Sequence, residues 1–348
     1  MATVVGALRQ TRVVLAGQLG GWIFYAVGIL AFLVFVLPRV FQNPALFIQT
    51  VVFGVTDGAI YALTALGYTM VYGIIELINF AHGDIFTLGG FLGILFFGLL
   101  GFAPNQGSNL GLLLLPIIVF VMATTMLVNG FINMAIERIA YKPLRHAPRL
   151  APLITAVGMS FLIEGVMFLW KGPNQIQSPD LLPAKQVIIL GAAVDTREGI
   201  VIGVTIVLLI GLVLFIERTR LGKAMRATAQ DRDAAQLMGI DIDATISATF
   251  FIGAALAAVG GMFYGFYYNN LRFDTGFSQG LAAFTAAVFG GIGNIQGAAL
   301  GGLILGLIRA FNDTYGRGEW TDVIIFSILI LTFLLRPTGL LGMRVPEK

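Results

Sequence analysis

The sequence predicts an all-α, polytopic integral membrane protein of about ten transmembrane helices with a candidate inverted repeat. Three observations lead there. Of 348 residues, 57% are hydrophobic and only 11% charged, whereas soluble domains carry about 25% charged residues. The mean hydropathy is +0.90. The apolar residues fall in runs long enough to cross a bilayer, which needs about 20 residues per helix. The 44 glycines suit helices that pack closely through small side chains. There is no cysteine, which excludes disulfides, thiol chemistry and Cys-ligated metals. A net charge of +3 gives no footing for nucleic-acid binding.

The elements follow in order. Arg9 and Arg12 precede an apolar run that reaches Leu37, interrupted only by Gln18. That run is too long for a signal peptide and lacks a clear small-residue cleavage site, so it reads as a first span at about 19–37; a cleaved signal is the alternative. Further spans are expected at about 50–73, 84–103, 111–135, 152–170, 200–217, 245–268, 277–290, 296–311 and 321–336. Residues 1–45 then form an N-terminal segment with the first span, and 46–348 a single transmembrane domain. The positive-inside rule tests the count. Fourteen of the 21 Lys and Arg lie at the N-terminus, in 138–149, in 218–232 and in the C-terminal tail. If all four places are cytoplasmic, the spans between them number four, two and four. That parity requires a break at "GGIGN", Gly290 to Asn294, and puts both termini inside.

No chemistry of ATP hydrolysis is written in the chain. The phosphate-cradling pattern G-x-x-x-x-G-K-[ST] does not occur, and neither do H-E-x-x-H and G-x-S-x-G. The expectation is a transport subunit without its own ATPase, not an enzyme. The largest inside loop, 217–243, reads "ERTRLGKAMRATAQDRDAAQLMGIDID". It has no proline and predicts a helix from Ala224 to Met238, which Gly239 can end in a left-handed cap. Such a helix can lie at the interface as a basic topology anchor, or sit in a cleft of a soluble partner.

"DAAQLMGI", Asp233 to Ile240, resembles the E-A-A-x-x-x-G cytoplasmic loop of ABC importer permeases, with Asp in place of Glu. The fuller "GKAMRATAQDRDAAQLMGI" is similar to the version in branched-chain amino-acid permeases. "YTMVYGIIELINFAHGDIFTLGGF" (68–91), "AAVFGGIGNIQGAALGGLILG" (286–306) and the C-terminal "RPTGLLG" resemble the same subfamily. The resemblance covers the chain from about residue 45 to its end. It implies one of two related permease subunits of an importer for branched-chain or other neutral amino acids, in a bacterial-type inner membrane. The implied partners are a second homologous permease, two cytoplasmic ATP-binding subunits and an extracytoplasmic solute-binding protein. No cofactor is implied in this chain; ATP and Mg belong to the ATPase subunits. The ATPase-docking residues carried over by the motif are Gly222, Arg226, Ala227, Asp233, Ala234, Ala235 and Gly239.

Asp57, Glu76, Asn79, His82, Asp84, Glu164 and Asn294 lie within or beside apolar runs. A charge at mid-membrane costs about 2.5–3.5 kcal/mol on insertion scales, so such residues face the protein interior or mark a path. Each has a structural reading too. Asn79 and Asp84 suit helix caps, Glu164 suits a pairing role, and His82 suits a hydrogen-bonded turn. A permeating amino acid needs backbone donors and apolar surface, and glycine-rich breaks supply exposed backbone. The candidate path residues are Asn79, His82, Gly83, Gly89, Gly90, Gly290, Gly291 and Asn294.

A repeat of opposite topology is a further sign of a transporter. Aligning 78–91 with 271–284 pairs Phe80 with Phe273, Gly83 with Gly276, Leu88 with Leu281 and Phe91 with Phe284. The two segments precede spans three and eight, and an offset of five spans inverts orientation. Other function classes remain open on the residues alone. An ion-coupled secondary transporter would bind a proton or Na⁺ at Asp57, Glu76, Asp84 or Glu164. A passive channel would not concentrate substrate. A urea or amide permease would share the same loop.

Overall fold

A computed structural model of the protein describes residues 30, 34, 37–76, 78–104, 114–145, 147–148, 150–182 and 185–342. The expected first span at 19–37 and the terminal cations Arg9, Arg12, Arg344 and Lys348 lie outside the described residues, apart from isolated positions. After the short α1 (Leu37–Gln42), Asn43 starts α2 (Pro44–Ile75): its side chain accepts from Leu46 N at 3.1 Å, with proline in the first turn. Then come α3 (His82–Leu99), α4 (Leu114–Ile136) and α5 (Leu150–Lys171). A hairpin of β1 (Gln186–Ile189) and β2 (Ala192–Asp195) follows. The remaining helices are α6 (Thr196–Arg218), α7 (Arg220–Gln230), α8 (Arg232–Leu237), α9 (Ile242–Tyr268), α10 (Thr275–Gly290), α11 (Ile295–Tyr315) and α12 (Thr321–Leu335).

Among the described residues, eight helices are long and apolar enough to cross a bilayer. The 16-residue α10 is the remaining expected segment. Each of the nine spans expected after residue 45 therefore has a helix, and the break at "GGIGN" is present. Gly291 takes φ +114, and Asn294 caps α11 by accepting from Gly297 N at 3.1 Å. Among the described residues, the hairpin β1–β2 and an isolated bridge between Ile176 and Leu271 depart from the all-helical chain that the sequence predicts. The hairpin lies between the spans expected at 152–170 and 200–217, and its Asp195 starts α6 through a reciprocal capping box with Glu198.

The core is built on α9, which is buried along most of its length between α2, α3 and α4. Close packing of small residues sets the geometry. A Cβ on Gly58 would lie 2.7 Å from Leu303 Cα, and one on Gly302 would lie 2.8 Å from Ala62 Cα. These contacts hold α2 and α11 antiparallel at a distance larger residues do not allow. Outer helices carry exposed apolar side chains, including Ile154, Phe161 and Leu169 of α5 and Val207 of α6. In a bilayer these face lipid.

Contacts along α9 fix depth. Gly89 and Gly90 of α3 pack on Ala258 and Gly261, Gly93 packs on Met262, and Phe97 packs edge-on to Phe266. So α3 runs parallel to the second half of α9. It begins at His82, whose ring lies against Gly67; Gly67 in turn packs on Gly253, near the middle of α9. α2 ends at Ile75, and the chain is back at that depth by His82. From the other side, Leu271 packs on Gly90 and Gly276 packs on Thr87, so α10 also begins part-way through the bundle.

Candidate translocation path and docking surface

The two part-way starts meet. Gly276 and Gly280 of α10 lie against Gly83 of α3; a Cβ on Gly280 would sit 2.5 Å from Gly83 Cα. From this crossing α3 runs with the second half of α9, and α10 runs toward Gly290 and the inner turn. The two helices thus leave one point in opposite directions, as the aligned segments 78–91 and 271–284 require. Gly83 and Gly276, paired in that alignment, touch in the fold. Each helix start presents the positive end of a dipole; at α3 the His82 N–H donates to Asn79 O and the Asp84 N–H to Ala81 O, both at 3.1 Å, and at α10 the Phe277 N–H donates to Asp274 O at 3.2 Å.

Polar side chains surround the crossing. Asn79 is buried, and its Oδ1 accepts from Tyr141 Oη at 2.8 Å. Asp84 is buried in the first turn of α3, with Oδ2 accepting from Ser160 Oγ at 2.5 Å. Neither side chain caps α3 as expected: Ala81 holds the N-cap position and makes no side-chain cap bond. His82 is the first residue of α3 rather than part of a turn. Its ring stands edge-on to Tyr68 at 4.7 Å and against Gly67, with the Thr64 backbone as its polar neighbour. On the open side, Phe277 and Ser278 of α10 are exposed, and Phe273 packs edge-on to Phe168 of α5 at 5.2 Å. Just before α10, the Asp274 carboxylate pairs with Arg272 and pushes that guanidinium's pKa above its ordinary value.

Packing fixes the place of the candidate path glycines and of Asn294. Gly83, Gly89 and Gly90 are not breaks; all three are helical, and their missing Cβ atoms let α3 approach α10 and α9. Gly290 packs on Gly297, and Gly291 turns the chain against Gly342. Asn294 also donates to Leu341 O at 2.8 Å, fastening the turn to the C-terminal segment. Gly290, Gly291 and Asn294 thus build the inner end of the α10–α11 hairpin, about 15 Å of helix rise from Gly280.

The inner end carries the 217–243 loop. One helix was expected from Ala224 to Met238; the chain forms two. Asp231 is extended, with φ −156 and ψ 113, and its side chain caps α8 by accepting from Ala234 N at 3.0 Å. Gly239 ends α8 as expected, with φ +81. The Gly239 N–H donates to Gln236 O at 3.0 Å and the Ile240 N–H to Ala235 O at 3.1 Å, which is the paired bonding of a left-handed cap. The motif residues divide by face. Asp233, Ala234 and Gly239 are exposed beside Leu237 and Met238, which are 88% and 82% exposed. Ala235 and Gly222 are buried. Gly222 packs on Ile216 and opens α7 with its N–H on Thr219 Oγ1 at 3.0 Å. Arg226 donates back to Ile216 O, and Ala227 O accepts from Asp231 N at 3.1 Å. Gly222 and Ala235 thus shape the loop from within, while Arg226 is exposed and Ala227 half-buried.

Between this loop and the crossing lies a cleft of ≈ 490 Å³, lined by Tyr72, Glu76, Tyr141, Arg145 and Arg232 among others. Its far wall is an ion network that sequence reading missed. Buried Glu137 pairs with Arg145 and accepts from Ser247 Oγ at 2.6 Å; Asp243 pairs with Arg145 and, at 2.7 Å, with Lys142. The network ties the end of α4 to the start of α9. Ser160, Tyr141 and Glu137 carry no motif. Gly276 and Gly280 did carry a signal, the G-x-x-x-G spacing of close helix packing.

Comparison with known proteins gives the following. The profile described as branched-chain amino acid transport system / permease component matches residues 50–333. The high-affinity branched-chain amino acid transport system permease protein BraD of Pseudomonas aeruginosa is 42% identical over 317 residues, covering 90% of this chain and 100% of the relative. The permease protein LivH of the corresponding system of Escherichia coli K12 is 41% identical over 306 residues, covering 87% and 97%. The probable branched-chain amino acid transport permease protein LivH of Methanocaldococcus jannaschii is 30% identical, covering 80% and 88%.

Proposed function

Because the chain belongs to the family of branched-chain amino acid transport permease components, we propose that it forms, beside a second homologous permease, the route for branched-chain or other neutral amino acids. It is a membrane transport subunit of an ABC system, not an enzyme. In this reading it sits in a bacterial-type inner membrane with both termini cytoplasmic. ATP and Mg are held by two cytoplasmic ATP-binding subunits docked on 217–243. An extracytoplasmic binding protein supplies affinity.

The observation that carries the reading is the meeting of α3 and α10 at Gly83, Gly276 and Gly280. Two helix starts at one depth present the positive ends of their dipoles toward the carboxylate of a zwitterion. Exposed Phe277 offers apolar surface to its side chain. In this reading the route runs from the crossing past the buried Asn79 and His82 toward the cleft lined by Tyr72, Glu76, Tyr141 and Arg232. Asp233, Ala234, Leu237 and Met238 form the exposed surface on which an ATPase subunit would seat.

Uptake of labelled leucine in a deletion strain carrying the complete system tests the substrate. Leucine is expected to accumulate, with alanine competing and glutamate and urea not. Urea accumulation without leucine uptake would assign the chain to the amide permeases instead. Vanadate should abolish uptake; uptake that survives vanadate and collapses with an uncoupler would make the chain an ion-coupled carrier.

A further inference from the structure

The last carbonyls of any α-helix lack an intrahelical donor. At the end of α2 two of them are satisfied in different ways. Tyr72 O accepts from Glu76 N at 2.8 Å, closing the final turn. Ile74 O accepts from a residue 158 positions away: Arg232 Nε donates at 3.1 Å and Arg232 Nη2 at 2.8 Å. A guanidinium fork on one carbonyl fixes direction as well as distance, and a cation suits the negative end of the helix dipole.

Arg232 is the first residue of α8, set there by the break and cap at Asp231. Its bond therefore joins the start of the docking surface to the end of α2. The chain beyond Ile74 is built to respond. Glu76 is left-handed at φ 55, a backbone state that non-glycine residues seldom adopt. Residues 78–81 follow, tethered by Asn79 to Tyr141, and then α3 begins at the glycine crossing. Lys142, Arg145, Glu137 and Asp243, charged groups at the same end, join α4 to α9 and not α8 to α2; Glu76, Asp231 and Asp233 line the same cleft as Arg232.

We infer that Arg232 is the positioning residue that carries movement of the docking helices through the end of α2 to residues 78–81, and so to the start of α3. The inference rests on the reading of 217–243 as the ATPase-docking loop. It needs no contact between Arg232 and substrate or nucleotide.

The test uses the complete transporter, purified and reconstituted with its binding protein. Arg232→Gln removes the charged fork, and Arg232→Lys keeps the charge with a single point of contact. Two quantities are read: amino acid imported per ATP hydrolysed, and the effect of nucleotide on thiol labelling of Ile78→Cys. The chain has no native cysteine, so label counted on this subunit after its separation from the partners reports position 78 alone. For Arg232→Gln we expect normal recovery of the ATPase subunits and hydrolysis within about twofold of the parent. Import per ATP should fall about tenfold, the scale of one charge-assisted hydrogen bond. Nucleotide should no longer change labelling at position 78, and Arg232→Lys should fall between. If Arg232→Gln does not reach the membrane, Arg232→Lys carries the comparison. Unchanged import per ATP and unchanged labelling would overturn the inference. So would loss of the ATPase subunits from the Arg232 variants alone, which would make Arg232 a docking contact. A parental chain that fails to retain the ATPase subunits would instead overturn the docking reading and the inference with it.

Discussion

Asn79 is held at one end of its amide: Oδ1 takes the Tyr141 hydroxyl, while Nδ2 has no partner among the described residues. Its position rests on that single bond. Tyr141→Phe leaves a buried acceptor unpaired, which costs about 1–3 kcal/mol. The expected outcome is a lower thermal midpoint of the purified transporter and reduced uptake, compared at equal membrane content. Gly280 tests the crossing itself. Gly280→Val places branched carbons where Gly83 Cα already stands, and overpacking of this kind costs about 1–3 kcal/mol. Uptake should be lost, whereas Ser278→Ala, on the exposed face, should retain it. Normal uptake by Gly280→Val would remove the crossing from the path. The sequence marked Gly83 and Asn79 by their chemistry. It did not mark Tyr141 or Ser160, because ordinary residues become informative only through partners distant in the chain.

The docking loop shows how far local rules reach along an element. Gly239 is legible as a helix end, since a left-handed cap favours a residue without Cβ. Gly239→Ala at φ +81 is expected to cost about 1–2 kcal/mol locally. The break at Asp231 is not legible, because a run of good helix formers continues through it. What decides against one long helix is the reach of Arg232 to Ile74 and the cap that Asp231 gives to Ala234. Asp231→Ala removes that cap, worth about 0.5–2 kcal/mol. It should lower ATPase recovery with the purified permease less than Leu237→Asp does, since Leu237 lies on the exposed face. Equal recovery for Leu237→Asp and the parent would place docking elsewhere.

At the scale of the molecule, orientation follows from charge. Residues 138–145 and 218–232, the "GGIGN" turn and residues 336–342 gather at one end, and the β1–β2 hairpin lies at the other, beside the start of α2. The positive-inside rule assigns the first end to the cytoplasm. In a chain without cysteine this is directly checked. An impermeant thiol reagent added to intact cells should label Ile188→Cys in the hairpin. It should reach Leu237→Cys only after the membrane is opened. The reverse pattern would invert the topology.

Composition and run length by themselves determined a multi-helix membrane protein, the nine helical segments after residue 45 and the turn between α10 and α11. The physical reason is that insertion depends on apolar length and flanking charge, both local properties of the chain. Tertiary structure alone decided depth. "INFAHGDIFTLGGF" reads equally well as a surface corner or as a re-entrant start. The contacts of Gly83 with Gly276 and Gly280, and of His82 with Gly67, place it inside the bundle. The same packing turned most of the candidate path glycines into helix contacts. A missing Cβ can serve an open path or a close approach, and only the atom opposite tells which.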